Sequence, residues 1–122
     1  MKKLTFVLLS FLLTTPVVFS QTGNERVFYS SYRPQGWDIW KSDGLTGSID
    51  QVTSHEALDY NPVISPDGKW VVFTSERLGN PKLFIQSLKE KGEARLLINH
   101  ESSMQDQAVI SPEGTWIVFT ST

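Results

Sequence analysis

The sequence predicts an all-β chain of small antiparallel sheets stacked face to face, and three observations carry that expectation. The segment from Ile64 to Ser75 aligns without a gap to that from Ile110 to Ser121, 46 residues further on, and nine of the twelve positions are identical. Each copy opens with a tight-turn signal, Ser65-Pro66-Asp67-Gly68 and Ser111-Pro112-Glu113-Gly114. The residues after the turn are apolar on both alternating faces, Trp70 and Val72 on one, Val71 and Phe73 on the other. A strand of that kind must be covered from two sides.

Turn chemistry places the elements of one repeat. Proline presets φ at the first turn position, Asp67 or Glu113 takes the second, and glycine supplies the left-handed residue that closes the hairpin. A short strand, Pro62 to Ser65, precedes the turn, and a longer one, Trp70 to Ser75, follows it, rich in aromatic and β-branched side chains. After the loop Glu76-Arg77-Leu78-Gly79-Asn80-Pro81 come a third strand, Lys82 to Ser87, a charged Gly-containing turn, Lys89 to Glu93, and a fourth strand, Ala94 to Ile98. Upstream, Arg26 to Ser31, Asp38 to Ser42 and Ile49 to Thr53 read as the last three strands of a preceding unit. Its copy of Val72-Phe73-Thr74-Ser75 is Val27-Phe28-Tyr29-Ser30, offset by 45, with Arg33 standing for Arg77 at an offset of 44. Downstream, Gln107 to Ser111 and Trp116 to Thr120 read as the first two strands of the next unit.

Four antiparallel strands in about 45 residues is the size of one β-propeller blade. The chain is therefore expected to hold one full blade and two partial blades of four antiparallel strands. Propellers close with about 4 to 8 blades, so the sequence reads as a fragment whose missing blades come from a longer chain or from self-association. A stand-alone product would leave open edges and uncovered aromatic faces, which invite aggregation or pairing with other chains.

The first residues read as an address. Lys2 and Lys3 precede an apolar run from Leu4 to Leu13, Pro16 breaks any helix, and Val18-Phe19-Ser20 suits a signal peptidase, so residues 1–20 are expected to be a cleaved signal peptide and residues 21–122 a partial propeller. The run is too short for a membrane span, which needs about 20 mostly apolar residues. The expected location is periplasmic or secreted, with no membrane insertion after cleavage. The chain has no cysteine, so neither a lipid anchor on a mature N-terminal Cys nor a disulfide framework is available. Removing Lys2 and Lys3 leaves nine basic residues against 13 acidic ones, a net charge of −4. That balance offers no electrostatic reason to expect nucleic acid as a partner.

The run Pro62-Val63-Ile64-Ser65-Pro66-Asp67-Gly68-Lys69-Trp70-Val71-Val72-Phe73-Thr74-Ser75-Glu76-Arg77, followed by Leu83-Phe84 and Leu96-Leu97, resembles the repeat of TolB-type (WD-like) β-propellers. Asp38-Ile39-Trp40 fits the third strand of the same repeat, and the likeness covers about Arg26 to Thr122. The resemblance implies a cell-envelope propeller that binds proteins, as in the Gram-negative Tol-Pal system. Repeats begin within a few residues of the expected cleavage site, where true members of that family carry a separate N-terminal domain. A TolB-like chain is therefore expected.

For chemistry, the sequence favours a binding module over an enzyme. Ser65 and Ser111 precede proline, outside any Gly-x-Ser-x-Gly elbow, and are expected to support their turns. His55-Glu56 and His100-Glu101 recur 45 residues apart in the loops between blades. In a propeller those loops share a face with the loops carrying Arg33 and Arg77, so Arg33, Arg77, His55, Glu56, His100 and Glu101 are the candidate contact residues for a protein or peptide partner. Trp37, expected in a loop beside Gly36, joins them, while Trp70 and Trp116 are expected in the core. No metal and no cofactor is expected, since two histidines with adjacent carboxylates at this spacing match no ligand motif. The competing reading makes the chain the N-terminal propeller of a larger secreted enzyme, a prolyl-oligopeptidase-like peptidase or a sugar lyase.

Overall fold

The structure, a computed structural model, describes residues 25–34, 36–90, 92–100 and 103–122. The proposed signal peptide, residues 1–20, lies outside the described residues, as does Glu101. Nine strands and no helix are found among the described residues: β1 (Arg26–Arg33), β2 (Gly36–Asp43), β3 (Ile49–Gln51), β4 (Asp59–Ile64), β5 (Trp70–Ser75), β6 (Lys82–Ser87), β7 (Arg95–Leu96), β8 (Gln105–Ile110) and β9 (Ile117–Ser121). They form three antiparallel sheets in the orders β1-β2-β3, β4-β5-β6-β7 and β8-β9. This is one four-stranded blade between two partial ones.

The turns hold as their residues require. Gly68 N–H donates to Ser65 O (2.8 Å) with Gly68 at φ 67°, and the Ser65 hydroxyl accepts from Trp70 N–H (3.0 Å) and donates to Asp67 (2.6 Å). In the copy, Gly114 N–H donates to Ser111 O (2.8 Å) at φ 75°, and Trp116 N–H donates to Ser111 Oγ (3.1 Å). Both serines are committed to their hairpins.

Covering β5 on both faces builds the core. Val71, Phe73 and Phe84 pack with Ile39 of the preceding sheet, while Val72 and Leu83 pack with Ala108 and with Ile110, Ile117 and Phe119 of the following one. Phe73 and Phe84 stack at 6.3 Å between centroids.

Three features correct the sequence expectations. Trp116 is 71% exposed and Val118 70%, because Val118 lies on the face of β9 turned away from β5, with Trp116 just before that strand, and no described element covers them. Its counterpart Trp70 is half-buried, with the Arg95 guanidinium 5.5 Å from its ring. Trp37 stands in strand β2, not in a loop, since the β1–β2 ladder runs down to the pair Arg33↔Gly36 and leaves only two residues for the turn. The upstream copy is in register at an offset of 44 throughout its second and third strands, not 45 for its Val-Phe run. Tyr29↔Trp40 is the pair that corresponds to Phe73↔Phe84, and Val52 N–H donates to Ile39 O (2.9 Å) as Leu97 N–H donates to Leu83 O (2.8 Å). The residue skipped falls in the loop between third and fourth strands.

The first strands of the second and third blades carry a bulge at one place, after Tyr60 in β4 and after Asp106 in β8, with Asn61 at φ 51° and Gln107 at φ 54°. There Asp106 ties the two blades together. Its Oδ1 accepts from Thr74 Oγ1 (2.7 Å), Asn61 Nδ2 (2.9 Å) and Gln107 N–H (2.7 Å). Burial pushes the Asp106 carboxyl up, but these three donors outweigh it and hold the group below the ordinary value of 3.8. A depressed carboxylate stabilises the fold above its unfolded value and ceases to as pH falls through the folded one. Acid unfolding of Asp106→Asn is therefore expected to show a weaker dependence on pH below about 4 than the parent protein. Superimposable acid transitions would remove the role assigned to this carboxylate.

Candidate functional site

One end of the stack gathers the loops that join second to third strands and the loops that join blades. The register makes this necessary, since Asp59 at the start of β4 faces Ser75 at the end of β5, which faces Lys82 at the start of β6. The loop Glu76–Pro81 and the inter-blade segments 52–58, 97–100 and 103–104 therefore open on the same side.

Each inter-blade loop is held from beneath by the side chain at one equivalent position in the third strand. In the first blade this is Asp38, buried at 2% exposure, which accepts from Gln51 Nε2 (3.0 Å), Thr53 Oγ1 (3.4 Å) and the His55 N–H (3.3 Å). Thr53 Oγ1 in turn accepts from Ile39 N–H (3.0 Å). In the second blade the position is Lys82, buried at 5% exposure, whose ammonium donates to the carbonyls of His100 and Ser103. An acid holds a loop N–H and a loop hydroxyl in one blade, and a base holds loop carbonyls in the next. Sequence reasoning assigned neither residue, because both fall in strands where alternation alone gives no hint of a polar contact.

His55 and Glu56 are exposed on the first of these loops and, with Asp38, Gln51 and Ser54, line an open recess of about 480 Å³. His55 Nδ1 accepts from the Ala57 N–H (2.9 Å), so the neutral ring carries its proton on Nε2. A second recess joins His55 to Arg77, Gln86 and Glu93. Arg77 itself is anchored: Nη2 donates to Asp59 Oδ1 (3.1 Å) and Oδ2 (2.9 Å), Nε donates to Ser75 Oγ (2.8 Å), and the guanidinium lies 4.6 Å from the Phe84 ring. Beside it, burial, the Tyr60 OH hydrogen bond to Glu76 (3.2 Å) and the Glu76 charge push the Tyr60 hydroxyl up to about 12.

The remaining candidates stand apart. His100 is exposed beside Ile98, Ser103 and Gln105 in a recess of its own. Arg33 is exposed over the Trp40 ring at 4.2 Å, and Trp37, 40% exposed, packs at 6.1 Å from Tyr32. The structure thus brings His55, Glu56 and Arg77 along one pair of adjoining recesses and leaves Arg33, Trp37 and His100 outside them. Among the described residues, no three His, Cys, Asp or Glu side chains come together as a metal site would need.

Comparison with known proteins bears on the origin of these blades. No family model matches the chain. Among curated proteins, the Tol-Pal system protein TolB of Desulfotalea psychrophila is 38% identical over 76 residues, which cover 58% of this chain and 17% of that protein. The TolB homolog of Chlorobium luteolum is 47% identical over 38 residues, 31% of this chain and 9% of its own length. A solved TolB structure from Agrobacterium tumefaciens superimposes with a TM-score of 0.73 at 26% identity, over 80% of this chain and 34% of that one. The blades are TolB-like. The crystal structure of TolB from Acinetobacter baumannii shows the same fold, with a TM-score of 0.69 at 22% identity over 78% of this chain. The TolB-like chain spans about a sixth of the length of the first curated relative it matches.

Proposed function

We propose that residues 1–20 direct export and are removed, and that the TolB-like blades of residues 21–122 serve in the periplasm or outside the cell as a noncatalytic module that binds a protein or peptide. The similarity to proteins named for the Tol-Pal system carries this reading. The inter-blade loops support it. Asp38 and Lys82 fix the backbone of those loops from below, so exposed His55 and His100 are presented without a large ordering cost on binding. The adjoining recesses offer carboxylate, imidazole and amide groups suited to peptide backbone and polar side chains.

The contact residues proposed are Arg33, Arg77, His55, Glu56, His100, Glu101 and Trp37, with His55 and Glu56 at the centre. Arg77 is a poor test residue, because its removal also breaks a buried ion pair. The test is affinity capture from envelope extracts with the full-length gene product, followed by titration of the captured partner against the variant His55→Ala/Glu56→Ala. At least a tenfold loss of affinity with unchanged thermal unfolding is expected, and wild-type affinity would place the binding surface elsewhere. N-terminal sequencing of the exported form is expected to start at Gln21, and a retained Met1 would overturn the export assignment.

A further inference from the structure

The inter-blade loop over residues 52–58 is anchored at both ends and closed in the middle by one imidazole. At its start, Val52 N–H donates to Ile39 O (2.9 Å), Gln86 Nε2 donates to Val52 O (2.8 Å), and the buried Asp38 carboxylate accepts from Thr53 Oγ1 (3.4 Å) and His55 N–H (3.3 Å). At its end, Glu76 N–H donates to Leu58 O (3.0 Å). Between these anchors, Glu56 and Ala57 share a single hydrogen bond among the described residues, from Ala57 N–H to His55 Nδ1 (2.9 Å).

Only the neutral ring can accept that bond. A neutral imidazole has one nitrogen free to accept, whereas an imidazolium is a donor at both nitrogens. Protonation sets the Nδ1–H against the Ala57 N–H, so the ring must turn toward another acceptor. The charges around it are mostly negative. Asp38 of β2 and Glu56 line one recess with His55, and Glu93, from the segment before β7, lines the adjoining one. Arg77 faces the same recess from the loop after β5, but its guanidinium is already paired with Asp59. The next inter-blade loop is held in another way, since the Lys82 ammonium grips the carbonyls of His100 and Ser103, a contact indifferent to the state of the His100 ring.

We propose that His55 is a proton-operated latch: neutral, it closes the turn at Glu56–Ala57; protonated, it releases that turn while the anchors at Asp38 and Glu76 keep the rest of the loop in place. The change falls between about pH 8 and about pH 5, the interval over which histidines take up charge. A partner that grips the closed turn is then bound more weakly at the acid end. That consequence rests on the contact surface proposed above, whereas the latch itself is read in the chain without any partner, so either can fail alone.

The test follows the isotope-labelled full chain by NMR from about pH 7.5 to about pH 5. Exchange of the Ala57 amide with water, corrected for the intrinsic pH dependence of the exchange reaction, is expected to accelerate about fivefold in step with titration of the His55 ring, the worth of one hydrogen bond of ordinary strength. Amides of Trp70–Ser75 are expected to stay protected, which separates latch release from unfolding. His55→Asn supplies a side-chain oxygen that accepts from an N–H two residues on and does not titrate, so Ala57 is expected to stay protected at both ends of the range. His55→Ala is expected to leave it unprotected at both. Corrected exchange at Ala57 that is constant across the range, or an equal pH dependence in His55→Asn, would overturn the proposal. So would loss of protection at Trp70–Ser75 in step with Ala57.

Discussion

Asp59→Ala is expected to lower the free energy of unfolding by about 3–5 kcal/mol, the cost of stripping one partner from a buried ion pair. Asp59 is fully buried and the Arg77 side chain is 15% exposed, so water replaces the lost carboxylate only in part. The guanidinium would remain pinned over Phe84 and Phe73, bonded only to Ser75 Oγ. Urea unfolding followed by tryptophan fluorescence measures the change. A loss below about 1 kcal/mol, the range of an exposed pair, would show that the ion pair is solvated in solution. The double variant Asp59→Ala/Arg77→Met is expected to recover part of the loss, since the unpaired charge goes with the arginine.

Phe73→Ala is expected to cost about 3–5 kcal/mol as well, by loss of transfer energy together with the cavity left behind. Phe73 is fully buried between two sheets, in contact with Ile39 of the first blade and with Phe84 of its own. Its loss should therefore loosen the first blade more than the third, which hydrogen exchange at β1–β3 against β8–β9 would read. Val118→Ala is the control: it sits on the uncovered face of β9 and should change stability by less than about 0.5 kcal/mol. Equal costs for the two variants would mean that the outer face of β9 is covered in solution.

The candidate site was legible in part. The recurrence of His-Glu at 45 residues correctly placed both histidines in inter-blade loops, because loop position follows from strand count. The sequence did not show that Arg77 is spent on Asp59, since the two are 18 residues apart and meet only through the β4–β5 pairing. Nor did it show that Asp38 and Lys82 perform the same task with opposite charge, because their contacts with the inter-blade loops form only when the blades are folded. The sequence also overran the fourth strands. Ladder pairing stops after Ile49–Gln51 and Arg95–Leu96, where the backbone leaves to form the inter-blade loops.

By itself the sequence determined the repeat, the hairpins and the two strands bounded by residues Trp70–Ser75 and Lys82–Ser87, whose observed limits coincide with those expected. These depend on local chemistry: proline and glycine set turn dihedrals, and alternation sets which side chains share a face. Only the tertiary structure decided which apolar faces are covered. Trp70 and Trp116 occupy the same place in the same repeat, yet one is half-buried and the other 71% exposed. Burial depends on whether a neighbouring sheet is present, and that is a property of the stack rather than of the repeat. Among the described residues, the same dependence leaves Arg33 without the carboxylate that Arg77 holds.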